Sequence, residues 1–198
     1  VLKNSDGEFV YDDETKAKLH YEFYSSVFVS DNNILPDFAC RVGDESELSD
    51  MQFSPDIVFK HLSKLKPKTG GGPDGLAAVF LKNVAGSLAT PLSFLYNNSF
   101  ESSKIPDIWK AAVVTPAFKK GSPSAVSNYR PISLTCIVRK IMESIIKDNL
   151  VAYLLSNGLI TKQQHGFLSK HSTCSQLLEC VNEWSIELNF RNAVDVVY

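Results

Sequence analysis

Three cations stand close together in the middle of the chain: Lys119, Lys120 and Arg130. Lysine supplies a point charge, and arginine a planar fork that matches two phosphate oxygens at once. Held on one surface, the three would grip a polyphosphate without making or breaking a bond. For them to converge, the chain between them must double back. Ala111 to Phe118 is rich in Val and Ala and reads as a strand, as does Tyr129 to Leu134. Gly121-Ser122-Pro123-Ser124 lies in the loop of roughly ten residues between them, longer than most hairpin connections. Pro131 biases Arg130 towards an extended backbone, which suits a strand residue projecting into a groove. Spacing alone fits an anion grip and an ordinary solvated basic face equally.

The elements that must position this hairpin are mostly helical. Asp12 to Val29 predicts a helix capped by Asp12 or Asp13, with Ala17, Tyr21, Tyr24 and Phe28 on its inner face. Asp31 to Asp50 has no period and reads as an acidic linker. Ser54-Pro55-Asp56 starts the next helix, with Val58, His61, Leu62 and Leu65 as its stripe. His61 has no second ligand at helical spacing and is read as a core-edge residue. Thr69 to Gly75 must turn, and without a Gly-Lys-Ser/Thr ending it is no nucleotide P-loop. Helices then follow to about Asn83 and from Ser87 to Ser102, the second with Leu88, Leu92, Leu95 and Ser99 aligned and Pro91 in its first turn. Thr135 caps a long helix with Val138, Ile141, Met142 and Ile145 inward, closed by Asn157-Gly158. Ser172 starts the last helix, with Leu177, Val181, Trp184 and Leu188 as its inner stripe. Ala193 to Tyr198 reads as a strand. The fold class is α+β with helices dominant.

Bulk properties bound the partners. The net charge of −2 hides a net of −9 over residues 1–56, +3 over 57–102, +7 over 103–170 and −3 over 171–198. A basic middle is what a polyanion-binding surface needs, and a solvated face fits it as well. No apolar run approaches a membrane span, and the start lacks the regions of a signal peptide. The four cysteines form no C-x-x-C pair, which suits reduced thiols and an intracellular setting, cytoplasm or nucleus, without secretion.

Taken in order, IPDIWKAAVVTPAFKKGSPSAVSNYRPISLT, QHGF at 164–167 and HSTCSQLL at 171–178 resemble the fingers of reverse transcriptases from non-LTR (long interspersed element type) retrotransposons. GPDGL at 72–76 and NNSFESSKIP match the same pattern upstream. The resemblance covers roughly residues 54–198. It departs from the family at His171, where arginine is frequent, and in the three glycines before Pro73.

The resemblance implies the helix-rich fingers subdomain of a right-hand polymerase, with a β-hairpin and the first palm strand, truncated there. Residues 1–53 would be a preceding helix and acidic linker, and 54–198 the fingers segment. Arg130 with Lys119 or Lys120 would hold the incoming triphosphate. Gly72, Pro73 and Asp74 would form a template-side turn, and Gln164, Gly166 and Phe167 would lie near the template. Asp195 precedes the family's first catalytic aspartate by several residues and reads as a solvent-facing acid. The expectation is therefore no metal ligand here, magnesium and carboxylates belonging to the complete polymerase, and no catalysis by this chain alone. RNA template, DNA primer and dNTP are the implied partners of that complete enzyme. A recruited nucleic-acid-binding module and a non-functional remnant are the competing readings.

Overall fold

In the computed structural model, residues 1–32, 34, 48 and 51–196 are described. They divide into two compact units, one drawn from the chain up to Asn149 and one dominated by Leu150–Tyr198. Most of the predicted linker at 31–50 lies outside the described residues.

The core of the first unit is built by helices α2 (Pro55–Ser63), α3 (Ala78–Asn83), α4 (Ala85–Glu101) and the start of α6 (Ile137–Ser156). Val58, Leu62, Leu81, Leu92, Tyr96, Ile137, Ile141 and Ile145 fill it, with Phe53 and Trp109 closing its ends. Ser54 caps α2 through Ile57 N–H, with Pro55 at its first position, as the sequence predicts. Buried polar atoms are paired. The Tyr96 hydroxyl donates to the Val138 carbonyl at 2.7 Å, and Asn97 brackets the Phe53 backbone at 3.0 and 3.2 Å. The short helix α5 (Asp107–Lys110), not anticipated from sequence, turns Trp109 inward, and Arg139 donates to the Trp109 carbonyl. Helix α4 begins two residues earlier than predicted, so Pro91 falls in its second turn, where no N–H reaches back to the preceding turn.

Strands β3 (Val113–Phe118) and β4 (Tyr129–Leu134) form the predicted hairpin, with Val113 opposite Leu134, Ala117 opposite Arg130 and Phe118 opposite Tyr129. Against one face packs α1 (Asp13–Ser26), capped by Asp12 through Thr15 N–H at 2.8 Å. The inner face of α1 is not the predicted one. His20 and Tyr24 are buried, whereas Tyr21 and Phe28 are 72% and 80% exposed. The helix turns His20 inward because its ring meets Tyr129 edge-on at 5.1 Å, a contact invisible to periodicity. A small hairpin, β1 (Leu2–Lys3) with β2 (Phe9–Val10), was not anticipated, and Lys3 N–H donates to the Ser124 carbonyl at 2.9 Å.

In the second unit, Gly158 at φ +63° ends α6 as predicted, with Leu159 N–H donating to the Leu154 carbonyl at 2.9 Å. Helix α7 (Thr173–Asn189) carries the predicted Ser172 cap, closed reciprocally with Ser175. Its stripe is not buried. Leu177, Val181 and Leu188 are exposed, since no described element of this unit packs against them. Beyond it, Ala193–Val196 pairs with no strand among the described residues, and Val197 and Tyr198 lie outside them. Arg191 at φ +63° instead bends the chain back, and Asn192 bonds to Glu187.

The glycine run before Pro73 has a packing reason. A Cβ on Gly72 would fall on the Cys136 nitrogen and 2.6 Å from its Cα, so only glycine lets the turn reach the β4–α6 junction. Gly86, in α4, faces open space. Gly72→Ala is accordingly expected to lower stability by about 2 kcal/mol. Gly86→Ala should raise it by about 0.5–1 kcal/mol. Urea unfolding midpoints check both, and an unmoved midpoint for Gly72→Ala would mean the turn does not rest on that junction.

Candidate nucleotide and template interface

Side chains alternate across a strand, so the register of β3 and β4 sorts their residues into two faces. Val114, Pro116, Phe118, Tyr129, Pro131 and Ser133 share the face towards α1. Val113, Thr115, Ala117, Arg130, Ile132 and Leu134 share the other. Lys119 N–H donates to the Asn128 carbonyl at 2.8 Å, which carries the ladder one step past Phe118. Lys119 thereby falls on the face of Arg130 and stands diagonal to it, while Lys120 turns away at the bend. All three cations are exposed, and among the described residues none is ion-paired. By contrast, Arg139 is committed to Glu143 at 2.7 Å, Lys110 to Asp107 at 2.8 Å and Lys147 to Asp148 at 2.9 Å.

The loop between the strands is locked by its own residues. Gly121 takes φ +90°, and a Cβ there would meet the Asn128 side chain at 2.7 Å. Asn128 Nδ2 donates to the Ser122 carbonyl at 2.9 Å, and the Tyr129 hydroxyl to the Pro123 carbonyl at 2.7 Å. Lys3 holds Ser124 from outside, and His20 holds Tyr129. These positioning residues escaped the sequence reading. Only Asn128 and Tyr129 left a signal, as the polar and aromatic pair directly before Arg130.

Gly72, Pro73 and Asp74 lie at the opposite end of the hairpin from the cations, against Thr135 and Cys136. Gly75 N–H donates to the Gly72 carbonyl at 3.1 Å, and the Asp74 carboxylate accepts from Leu76 N–H at 3.2 Å. Asp74 thus braces its own turn. Burial pushes the Cys136 thiol up, with Asp74 beside it.

Gln164, Gly166 and Phe167 belong to the second unit. Gln164 Nε2 donates to the Gly166 carbonyl at 3.0 Å, and Phe167 takes φ +64° with its ring wholly exposed. Between them, buried His165 bonds Ser175 at 2.9 Å and Glu179 at 2.5 Å, pinning the loop to α7. His61 sits at the core edge, 3.9 Å from Asp148, and Asp195 is exposed, both as expected. Among the described residues no group of three His, Cys, Asp or Glu could hold a metal ion, so the chain's donors do not fit a divalent-ion site. No helix is long and apolar enough to cross a membrane, and Cys136, Cys174 and Cys180 are free thiols.

No family model matches the chain. Among curated proteins, it is 30% identical over 158 residues to the RNA-directed DNA polymerase from mobile element jockey of Drosophila melanogaster, covering 76% of this chain and 17% of that protein. The chain is related to the RNA-directed DNA polymerases of non-LTR retrotransposons. A probable polymerase from the Drosophila melanogaster transposon X-element is 25% identical over 132 residues, 66% of this chain and 14% of the relative. The Pol polyprotein of the type-1 retrotransposable element R1 from Bradysia coprophila is 23% identical over 180 residues, 80% and 18% respectively. The chain therefore spans under a fifth of the length of these non-LTR relatives. A match over 76% of the chain takes in its middle, where the hairpin lies.

His20 ties this polymerase-like hairpin to α1, and burial holds its pKa below the ordinary 6.5. The unfolded chain then takes up the proton first. His20 stabilises the fold above about pH 6.5, and that contribution is lost as pH falls through its folded value. His61, lowered chiefly by burial, acts in the same sense. Denaturant midpoints should fall between about pH 7.5 and 5.5, and fall less in His20→Phe, whose ring keeps the Tyr129 contact without titrating. An identical fall in the variant would remove His20 from the linkage.

Proposed function

We propose that this chain is a segment of a non-LTR retrotransposon reverse transcriptase, the fingers that hold the incoming nucleotide and the template during RNA-directed DNA synthesis. Residues 54–198 form that segment in this reading, and 1–53 a preceding helix and acidic linker. The observation that carries it is the pair of unpartnered cations, Lys119 and Arg130, on one face of a hairpin within the homologous stretch. Their diagonal placement suits a triphosphate, with the arginine fork on two oxygens and the lysine on a third. Lys120, turned off that face, is assigned the looser role of attracting the polyanion.

The template side is assigned to the Gly72-Pro73-Asp74 turn and to the loop of Gln164, Gly166 and Phe167. An exposed aromatic ring on a braced loop is a platform on which an unpaired base can stack, whatever its identity. The divalent ions and their carboxylates belong to the complete polymerase, with RNA template, DNA primer and dNTP as its partners. No step through a metal is assigned to residues of this chain.

Binding of single-stranded RNA and of dNTP to the purified chain tests the reading. Lys119→Ala and Arg130→Ala should each weaken dNTP binding by about tenfold, as expected for a lost charge-assisted contact, and Lys120→Ala by much less. For RNA, each lost phosphate contact should reduce the salt dependence of log affinity by about 0.7. If the Lys119 and Arg130 double variant binds both ligands with unchanged affinity and slope, these cations are an ordinary solvated face.

A further inference from the structure

On the face opposite the cations, the β3–β4 hairpin and α1 enclose a groove of about 750 Å³, within the size range of small-molecule sites. Its walls are apolar and flat. Tyr21 and Phe28 stand at the rim on the helix side, and Val114, Pro116 and Pro131 form the hairpin side. The only charged side chains in its wall, Asp13 and Lys16, bind each other at 2.9 Å, so the groove offers no free side-chain charge.

At its base lie His20 and Tyr24, both more than nine-tenths buried. The His20 Nδ1 and the Tyr24 hydroxyl have no hydrogen-bond partner and no contact with solvent. Two such atoms side by side are unusual in a folded chain, where buried polar groups are almost always satisfied. Burial lowers the pKa of His20, so its ring is neutral and Nδ1 either donates or accepts one bond, by tautomer. The tyrosine hydroxyl can do both.

We propose that this groove binds a neutral aromatic small molecule bearing one hydrogen-bonding group, its ring between the tyrosine and proline walls and its polar group on Tyr24 and His20. Neutrality follows from the lack of free charge, planarity from the walls, and the single polar group from the two orphan atoms at the base. The site is separate from the cation face and does not depend on the nucleotide reading.

Nuclear magnetic resonance titration of the full chain tests it with three probes on one bicyclic ring. 2-Naphthol is neutral and carries a hydroxyl, naphthalene lacks it, and 2-naphthoate is charged. Saturable shifts at Ser25 and Ser133 with 2-naphthol are expected. Naphthalene should bind about tenfold more weakly, the worth of one lost buried hydrogen bond, and 2-naphthoate more weakly still. Tyr24→Phe, which deletes an unpartnered hydroxyl and should fold, is expected to bring 2-naphthol down to the level of naphthalene. Ala17→Trp, on the exposed wall of α1, should block both without changing the circular dichroism spectrum. Absence of saturable shifts, equal binding of 2-naphthol and naphthalene, or binding that survives Ala17→Trp would overturn the proposal.

Discussion

A two-stranded sheet has two faces, and the pairing of Ala117 with Arg130 decides what each carries. A slip of one residue would exchange every side chain of a strand between faces. Arg130 would then turn towards α1, and Tyr129 would lose both His20 and its purchase on the loop. The register is therefore set by what it places inward. Phe118 and Tyr129 meet at 5.5 Å on the buried side, and Tyr129 closes the loop through Pro123. The cations gain their common face as a result, with no attraction of their own to hold them together.

Much of this was legible because it is local. The Val and Ala run with its Thr, the Gly-Ser-Pro-Ser loop and the Tyr-Arg-Pro start define the hairpin, and Ser54, Asp12 and Ser172 sit where the helix caps are found. Local chemistry also left two lysines open. Their separation required the Lys119–Asn128 hydrogen bond, which depends on a strand pairing ten residues long in its return.

What periodicity missed was decided by neighbours. The amphipathic stripe of α1 names Tyr21 and Phe28, yet the edge-on contact of His20 with Tyr129 outweighs it and rotates the helix. In α7 the stripe is present and has nothing described to cover it, so the pattern records a preference for burial without a partner to supply it. The β1–β2 hairpin is two residues a side, too short for any pattern, and its role emerges only through Lys3 and Ser124. The three glycines of the turn at 70–72 looked like an irregularity until the β4–α6 junction was seen to occupy the space of a side chain.

The prolines of the hairpin have a consequence for its edges. In an antiparallel ladder, hydrogen-bonded and non-bonded pairs alternate, and the bond between Lys119 and Asn128 sets the parity. Pro116 and Pro131, opposite each other, then form a non-bonded pair, where an N–H would point away from the partner strand. Neither ring removes a bond from the ladder, and each deletes a donor from an outer edge near its midpoint. A third strand approaching from either side would meet a gap in the row of donors it needs. The hairpin can thus carry an exposed apolar face and two open edges and still remain two strands wide.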